Sequence, residues 1–108
     1  GSTALPLYHS HPHVHEEHVL PDDIREQTRR AMDDIKLSLD KSNLTWRNVV
    51  KITKFLTDMR EADAMHAVIR EYFGDWKPAS TLVCVNNLSD PGSRIEIDII
   101  AVAPSDNN

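Results

Sequence analysis

A run of histidines near the start of the chain is the densest group of side chains that could do chemistry. His9, His11, His13 and His15 alternate, and His18 follows two carboxylates. In an extended segment, alternate side chains project from one face, and neutral imidazoles presented together can bind Zn²⁺, Ni²⁺ or Cu²⁺. However, alternation leaves successive rings well separated, and a loop is not a rigid frame for ligands. We therefore predict no built metal site, and interpret the run as a loop that binds metal incidentally or responds to pH.

Two further residues carry reactive groups, one in a predicted strand and one in a predicted helix. Cys84 is the only cysteine, which excludes an intrachain disulfide and a paired-cysteine metal or redox site. No neighbouring cation or helix start would activate its thiol, so we predict a packing residue rather than a nucleophile. His66 lies next to Met65 in the helical segment. It either donates a proton in a pocket or is a half-buried histidine satisfied by a neighbour.

Hydrophobic periodicity predicts the elements that position these groups. From Pro21, apolar residues recur at steps of three and four up to Leu39, which is typical of an amphipathic helix closed by Asn43. Runs rich in β-branched residues predict strands, and Gly74 marks the end of a second helix. The predicted order is a partial strand at 3–8, a helix from 21, a capped turn at 45–48, a strand at 49–57, a helix at 61–73, and strands at 80–85 and 94–103.

The last predicted strand has a face that open solvent alone does not explain. Alternation puts its core side chains on one face, and these are Ile95, Ile97, Ile99 and Ala101. The opposite face carries the charges of Arg94, Glu96 and Asp98 beside two large apolar residues, Ile100 and Val102. Such a mixture indicates contact with another subunit along part of the strand.

Size and composition limit the class of protein. With 108 residues, of which 40% are hydrophobic and 27% charged, the chain is predicted to be one soluble globular domain over residues 1–108. The net charge is −5 and the basic residues are scattered, which disfavours a nucleic acid partner. No apolar run approaches membrane-spanning length and no basic-then-apolar leader opens the chain. We therefore expect a cytoplasmic protein with no membrane partner.

Four blocks of the sequence resemble the Rid (YjgF) family in order and spacing. They are residues 23–31, residues 49–59, residues 72–74 together with 78–81, and residues 95–102. The resemblance covers a core at residues 21–108, while residues 1–20 hold only a partial strand and the histidine-rich loop. The family's leading strand, and a pocket tyrosine near it, would precede the first residue.

The resemblance implies both a fold and an activity. The fold is chorismate-mutase-like and α+β, with two helices on one face of a mixed sheet and three subunits joining their sheets into a central barrel. Small molecules would bind in the clefts between subunits. The family's best known activity is hydrolysis of reactive enamines and imines to ketones and ammonia, and it needs no metal or organic cofactor. The implied partners are further copies of the chain and a small metabolite.

The family's catalytic and carboxylate-binding positions transfer only in part. Glu96 stands where a glutamate on the last strand is thought to position the attacking water, so the resemblance assigns it the catalytic role. Asn87 stands where deaminating members have an arginine that holds the substrate carboxylate. Because a neutral amide lacks the charged two-point contact of a guanidinium, we expect a substrate other than a simple α-imino acid. A larger product of aromatic or heterocyclic catabolism would suit such a pocket.

Three more residues complete the predicted substrate-binding set with Asn87. Arg94 lies two residues before Glu96 on the same predicted face, where it either supplies the missing cation or pairs with Glu96 or Asp98. His66 stands where the family usually has an asparagine, and Cys84 lies in the strand that precedes Asn87.

Two functions therefore stay open at the level of the sequence. One is an enamine or imine hydrolase in which Glu96 holds the water, and the other is a non-catalytic trimer that binds a metabolite or a partner protein. Glu96 favours the enzyme, whereas Asn87 favours the binding module. Ribonuclease activity, sometimes attributed to the family, ranks last because the sequence offers no basic groove.

Overall fold

Two helices and three strands make up the residues that the computed structural model describes, which are 2–3 and 23–105. The histidine run and most of the partial strand predicted at 3–8 lie outside these residues. The other predicted elements are confirmed, with ends that shift by at most three residues. Their bounds are α1 (Ile24–Lys41), β1 (Val49–Leu56), α2 (Ala62–Phe73), β2 (Ala79–Cys84) and β3 (Ile95–Ala101), with 3-10 turns at Trp46–Asn48 and Met59–Glu61.

Local capping chemistry sets both ends of α1 and the C-terminal end of α2. The Asp23 carboxylate accepts from the Arg25 N–H at 2.9 Å, so α1 begins where a first-turn donor finds an acceptor. Asn43, two residues beyond α1, has φ 56°, a left-handed conformation that asparagine tolerates. Gly74 ends α2 at φ 62°, where any other side chain would be strained.

The strands form one mixed sheet in the order β2-β1-β3, with β1 parallel to β2 and antiparallel to β3. Both helices pack on the same face of this sheet. The predicted core face of β3 is confirmed, because Ile95 and Ile97 are fully buried. The fold is therefore α+β, with two helices on one face of a mixed sheet, as expected.

The two edges of the sheet differ. Along β3, Ser2 exchanges two backbone hydrogen bonds with Ile97, at 2.7 and 2.8 Å. Along β2, every residue except the half-buried Leu82 is exposed. The predicted packing role of Cys84 is thus wrong, because this residue ends an edge strand and its side chain is exposed. No helix among residues 23–105 is long and apolar enough to cross a membrane.

Candidate functional site

The two faces of the sheet separate the predicted site residues. On the open face, Glu96 pairs across the ladder with Phe55 and is half-buried. His66 lies on α2, which covers the opposite face, and it contacts Lys54 of β1. Within one chain, the sheet therefore stands between Glu96 and His66, so the structure does not bring these two predicted site residues together.

Asn87 lies on the loop that joins β2 and β3, and a buried glutamine of α1 holds that loop. The Asn87 side chain is exposed. Gln27, which has no exposed surface, donates from Nε2 to the Gly92 carbonyl at 3.1 Å and accepts from the Arg94 N–H at 2.9 Å. Helix α1 thus fixes the far end of the loop that carries Asn87.

Arg94 forms its ion pair with Glu61, so the predicted pairing with Glu96 or Asp98 is corrected. Its Nε lies 2.9 Å from Glu61 Oε1, and both side chains are half-buried. The reason is positional: Arg94 precedes the first residue of β3 and does not follow the alternation of the strand. The turn after β1 brings Glu61 within reach at that point.

A pocket of about 250 Å³ opens between α2 and the start of β2. Its walls are apolar at Ile69, Phe73 and Trp76, and polar groups converge at its base. Trp76 is held in place by a 2.8 Å hydrogen bond from Nε1 to the Val49 carbonyl. His66 lines this pocket, is half-buried and hydrogen-bonds Lys54, so it has both the pocket position and the satisfying neighbour that its two predicted alternatives describe.

Lys54 provides the polar base of this pocket. Only 5% of its surface is exposed, and its Nζ lies 2.9 Å from His66 Nε2 and 2.6 Å from Ser80 Oγ. Burial, and then repulsion by Lys51, lowers the pKa of the Lys54 ammonium. Burial also lowers the pKa of His66, as do Lys54 and Arg70, whereas Asp63 opposes the shift.

Sequence reasoning missed Lys54, although its position carried a signal. Ile52 and Leu56 are buried on the helix-facing side of β1, and Lys54 lies between them in the same phase. A lysine in phase with core residues is uncommon, because burying an ammonium is costly unless its hydrogen bonds are satisfied. Reading the strand as a plain β-branched run concealed this exception.

No group of three or more His, Cys, Asp or Glu side chains suitable for holding a metal occurs within residues 2–3 and 23–105. The candidate ligands His9, His11, His13 and His15 lie outside that part of the chain. The interpretation of the histidine run therefore stays a prediction.

Comparison with known proteins identifies the family. The family model described as Endoribonuclease L-PSP, which covers the YjgF and RutC proteins, matches residues 8–103. The chain belongs to this family. The predicted resemblance to Rid proteins is thereby confirmed, and the two helices on a mixed sheet match the fold of solved YjgF structures.

Individual members of the family share this chain's sequence and fold. RutC family proteins of Pyrococcus horikoshii and Pyrococcus abyssi are 37% and 39% identical over 83 residues. The match covers 77% of this chain and 65% of each relative, so the chain spans slightly less than two thirds of their length. A solved structure from Thermotoga maritima superimposes with a TM-score of 0.81 at 28% identity, covering 96% of this chain and 76% of its own.

Two Escherichia coli structures of the family add further points of comparison. The YjgF gene product has a TM-score of 0.74 at 28% identity, with 80% of this chain and 69% of its own covered. TdcF, whose structure contains bound serine, has a TM-score of 0.75 at 25% identity and the same coverage.

Proposed function

We propose that this chain is a Rid-family hydrolase that converts a small reactive imine or enamine into a carbonyl compound and ammonia. The observation that carries the proposal is the setting of Glu96, a half-buried carboxylate on the open face of the sheet. Across the sheet, Glu96 pairs with Phe55 of β1, and Phe55 pairs in turn with Val83 of β2. Ile100 lies further along the same strand as Glu96. Val83 and Ile100 are 38% and 59% exposed, as suits a face that another subunit covers.

The proposed reaction requires one group that accepts a proton from water. As the water oxygen forms a bond to the imine carbon, the Glu96 carboxylate takes one of its protons and the C=N π electrons move to nitrogen. Nitrogen first takes back the proton that Glu96 holds, which gives a neutral carbinolamine. The carboxylate then takes the hydroxyl proton and passes it to nitrogen as the C–N bond breaks, so the carbonyl forms and nitrogen departs as ammonia. An enamine substrate first tautomerises to the imine. The balance is one imine and one water to one carbonyl and one ammonia.

Self-association follows from the geometry of this proposal. The Lys54 pocket and Glu96 lie on opposite faces of one sheet, so a single ligand can meet both only where two copies adjoin. The exposed edge of β2 and the apolar residues of the open face are the surfaces available for that contact. We propose the homotrimer with a central barrel that family membership implies, working in the cytoplasm without a metal or an organic cofactor. Because the net charge of the chain is −5, we do not propose RNA as its substrate.

The proposed cleft also contains the remaining predicted residues. Asn87, on an exposed loop, contributes amide hydrogen bonds, and Cys84 and His66 line the walls. Arg94 contributes through its pairing with Glu61, which anchors the start of β3. Because Asn87 replaces the family's arginine, this position weakens the binding of a simple α-imino acid. The bound serine of TdcF supports a ligand of small size, since that relative shares this fold.

The second candidate is a trimeric module that binds a metabolite or a partner without chemistry. Two observations favour it over the enzyme: the amide at position 87, and the engagement of the Arg94 guanidinium by Glu61. Neither position then supplies a guanidinium dedicated to a substrate carboxylate. Turnover separates the two candidates.

The experiment follows ammonia release from enzymatically generated 2-iminobutyrate and from a panel of cyclic and aromatic enamines. Wild type is compared with Glu96→Gln, and with Glu71→Gln as a matched control at an exposed glutamate of α2. Because general-base catalysis typically contributes about 10²- to 10⁴-fold, Glu96→Gln should lower kcat/KM by a factor in that range while Glu71→Gln leaves it unchanged. Decay of every substrate at the buffer rate with wild type would overturn the enzyme proposal. A chelator arm should leave the rate unchanged, and a loss of activity there would bring the histidine run into the mechanism.

A further inference from the structure

Lys54 is a nearly buried cation that has no acidic partner within the described residues. Six ion pairs join side chains in that part of the chain, and Lys54 takes part in none of them. Its two close contacts are with His66 and Ser80, and neither side chain can carry a negative charge to balance the ammonium. Buried charges are normally paired, because desolvation is costly. An uncompensated ammonium at the base of a pocket is therefore a group that an incoming anion would stabilise.

The charged side chains around the pocket also favour an anionic ligand. Arg70 of α2 and Lys77 of the segment before β2 line it, and Lys51 of β1 adds a further positive charge nearby. Asp63, exposed on α2, is the carboxylate that acts on His66. It forms no ion pair with Lys54 in the structure. The pocket thus presents a cationic base between apolar walls, which suits a small organic anion.

The hydrogen-bonding capacity of Lys54 leaves room for such a ligand. An ammonium has three N–H donors, and two of them are directed at His66 Nε2 and Ser80 Oγ. The third is available for a carboxylate oxygen. The Ser80 hydroxyl, whose oxygen accepts from Lys54, keeps its own proton to donate to the same ligand. At about 250 Å³ the pocket is smaller than typical drug-sized sites, so it fits a ligand of few non-hydrogen atoms.

We propose that Lys54 and Ser80, with His66 as the neutral partner of Lys54, bind the carboxylate of a small substrate in this pocket. The inference rests on the proposed function, whose substrate class it names. The proposed ligands therefore include α-imino and α-keto acids, because Lys54 offers the cation that Asn87 lacks. The apolar wall formed by Phe73 and Trp76 then faces the ligand's hydrocarbon part.

The test measures binding of a stable α-keto acid rather than turnover. The probe is 2-oxobutyrate, titrated calorimetrically into the assembled protein, with 2-butanone as its neutral counterpart and inorganic phosphate as a second anion. Wild type should bind 2-oxobutyrate at least about tenfold more tightly than 2-butanone, since a charge-assisted hydrogen bond is worth more than a neutral one. It should also bind 2-oxobutyrate more tightly than phosphate, which has no hydrocarbon part to pack against Phe73 and Trp76. Equal affinity for the acid and the ketone, or tighter binding of phosphate, would overturn the proposal.

Variants assign the binding to Lys54. Lys54→Met should weaken 2-oxobutyrate binding by about tenfold or more, and Ser80→Ala by a few-fold. The matched control is Lys36→Met, at an exposed lysine of α1, which should bind like wild type. Lys54→Met should also melt no lower than wild type, because it removes a buried charge. If it does not fold, Lys54→Gln serves in its place. Undiminished binding by the folded Lys54 variant would contradict the proposal.

The outcome can be separated from that of the proposed function. Glu96→Gln should lower turnover far more than it weakens 2-oxobutyrate binding, since Glu96 acts on the attacking water whereas Lys54 holds the carboxylate. Selective carboxylate binding with no turnover of any imine would sustain this inference and overturn the enzyme proposal. Turnover of 2-iminobutyrate with an unchanged KM in Lys54→Met would overturn this inference and sustain the enzyme proposal.

Discussion

Lys54 and His66 share a hydrogen bond that neither could make if both were cations. An ammonium can only donate, so across the 2.9 Å contact a charged Lys54 pairs with an imidazole whose Nε2 is unprotonated. The depressed pKa of His66, caused first by burial and then by Lys54 and Arg70, favours that state at neutral pH. The pair therefore keeps its positive charge on Lys54, where a ligand anion would meet it.

This coupling predicts how stability depends on pH. The pKa of His66 in the folded chain lies below its ordinary value of 6.5, so the unfolded chain binds the proton first as pH falls. The folded state should therefore lose stability as pH drops below about 6.5, until His66 is protonated in the folded chain as well. His66→Asn removes this contribution. Urea unfolding between pH 5 and pH 8 should show a smaller loss of stability towards pH 5 in His66→Asn than in wild type, and equal losses would contradict the assignment.

At the scale of elements, Gln27 is the link between α1 and the loop that carries Asn87. Gln27→Met would leave the Gly92 carbonyl and the Arg94 N–H without their partner at a part-buried position. We expect a loss of about 1–2 kcal/mol in the free energy of unfolding, the order of the net contribution of two such hydrogen bonds. Hydrogen exchange at the Arg94 amide should accelerate.

The matched control for that prediction is Thr28→Val in the same helix. Thr28 is equally buried, but its hydroxyl donates to the Ile24 carbonyl within α1 and does not touch the loop. Thr28→Val should therefore change stability without accelerating exchange at Arg94. If both variants accelerate it alike, the loop responds to global stability and not to Gln27.

How far the sequence predicts this chain depends on whether the interactions are local. The ends of α1 and α2 were predictable because Asp23, Asn43 and Gly74 satisfy or release backbone groups within a turn or two. The burial of Ile95 and Ile97 was predictable for the same reason, since alternation within one strand encodes it.

Non-local contacts were not predictable in the same way. The partner of Arg94, the exposure of Cys84 and the order β2-β1-β3 depend on which elements meet in space, and no local pattern encodes that. Lys54 lies between the two cases. Its phase marked it as buried, but its partners His66 and Ser80 come from two other elements.

At the scale of the whole molecule, the open sheet face predicts self-association. Ile100 is 59% exposed on that face, whereas Leu37 is 48% exposed on α1, on the helix side. Ile100→Asp places a charge in the proposed interface and should shift the sedimenting species to below three times the 12.3 kDa of one chain. Leu37→Asp is the control and should sediment like wild type. A trimer that persists in Ile100→Asp would exclude this part of the face from the interface.

Mixing two impaired variants tests whether each site is shared between chains. If the Lys54 pocket of one copy and Glu96 of another form one site, then Lys54→Met and Glu96→Gln each supply the group that the other lacks. After random reassembly of an equal mixture, about one interface in four contains both an intact Lys54 and an intact Glu96. About a quarter of wild-type activity on 2-iminobutyrate should therefore return. Measured at subsaturating substrate, each variant refolded alone should keep no more than about a tenth of the wild-type rate.

A reciprocal mixture makes the result unambiguous. When the double variant Lys54→Met/Glu96→Gln is reassembled with an equal amount of wild type, shared sites require two adjoining wild-type chains, and about a quarter of full activity should remain. Sites built within one chain would leave about half in this mixture and would restore nothing in the first. Because the sheet separates Lys54 from Glu96 within one chain, the fraction of full activity in this mixture reports whether subunits share a site. An activity of about one half would place the chemistry inside one chain.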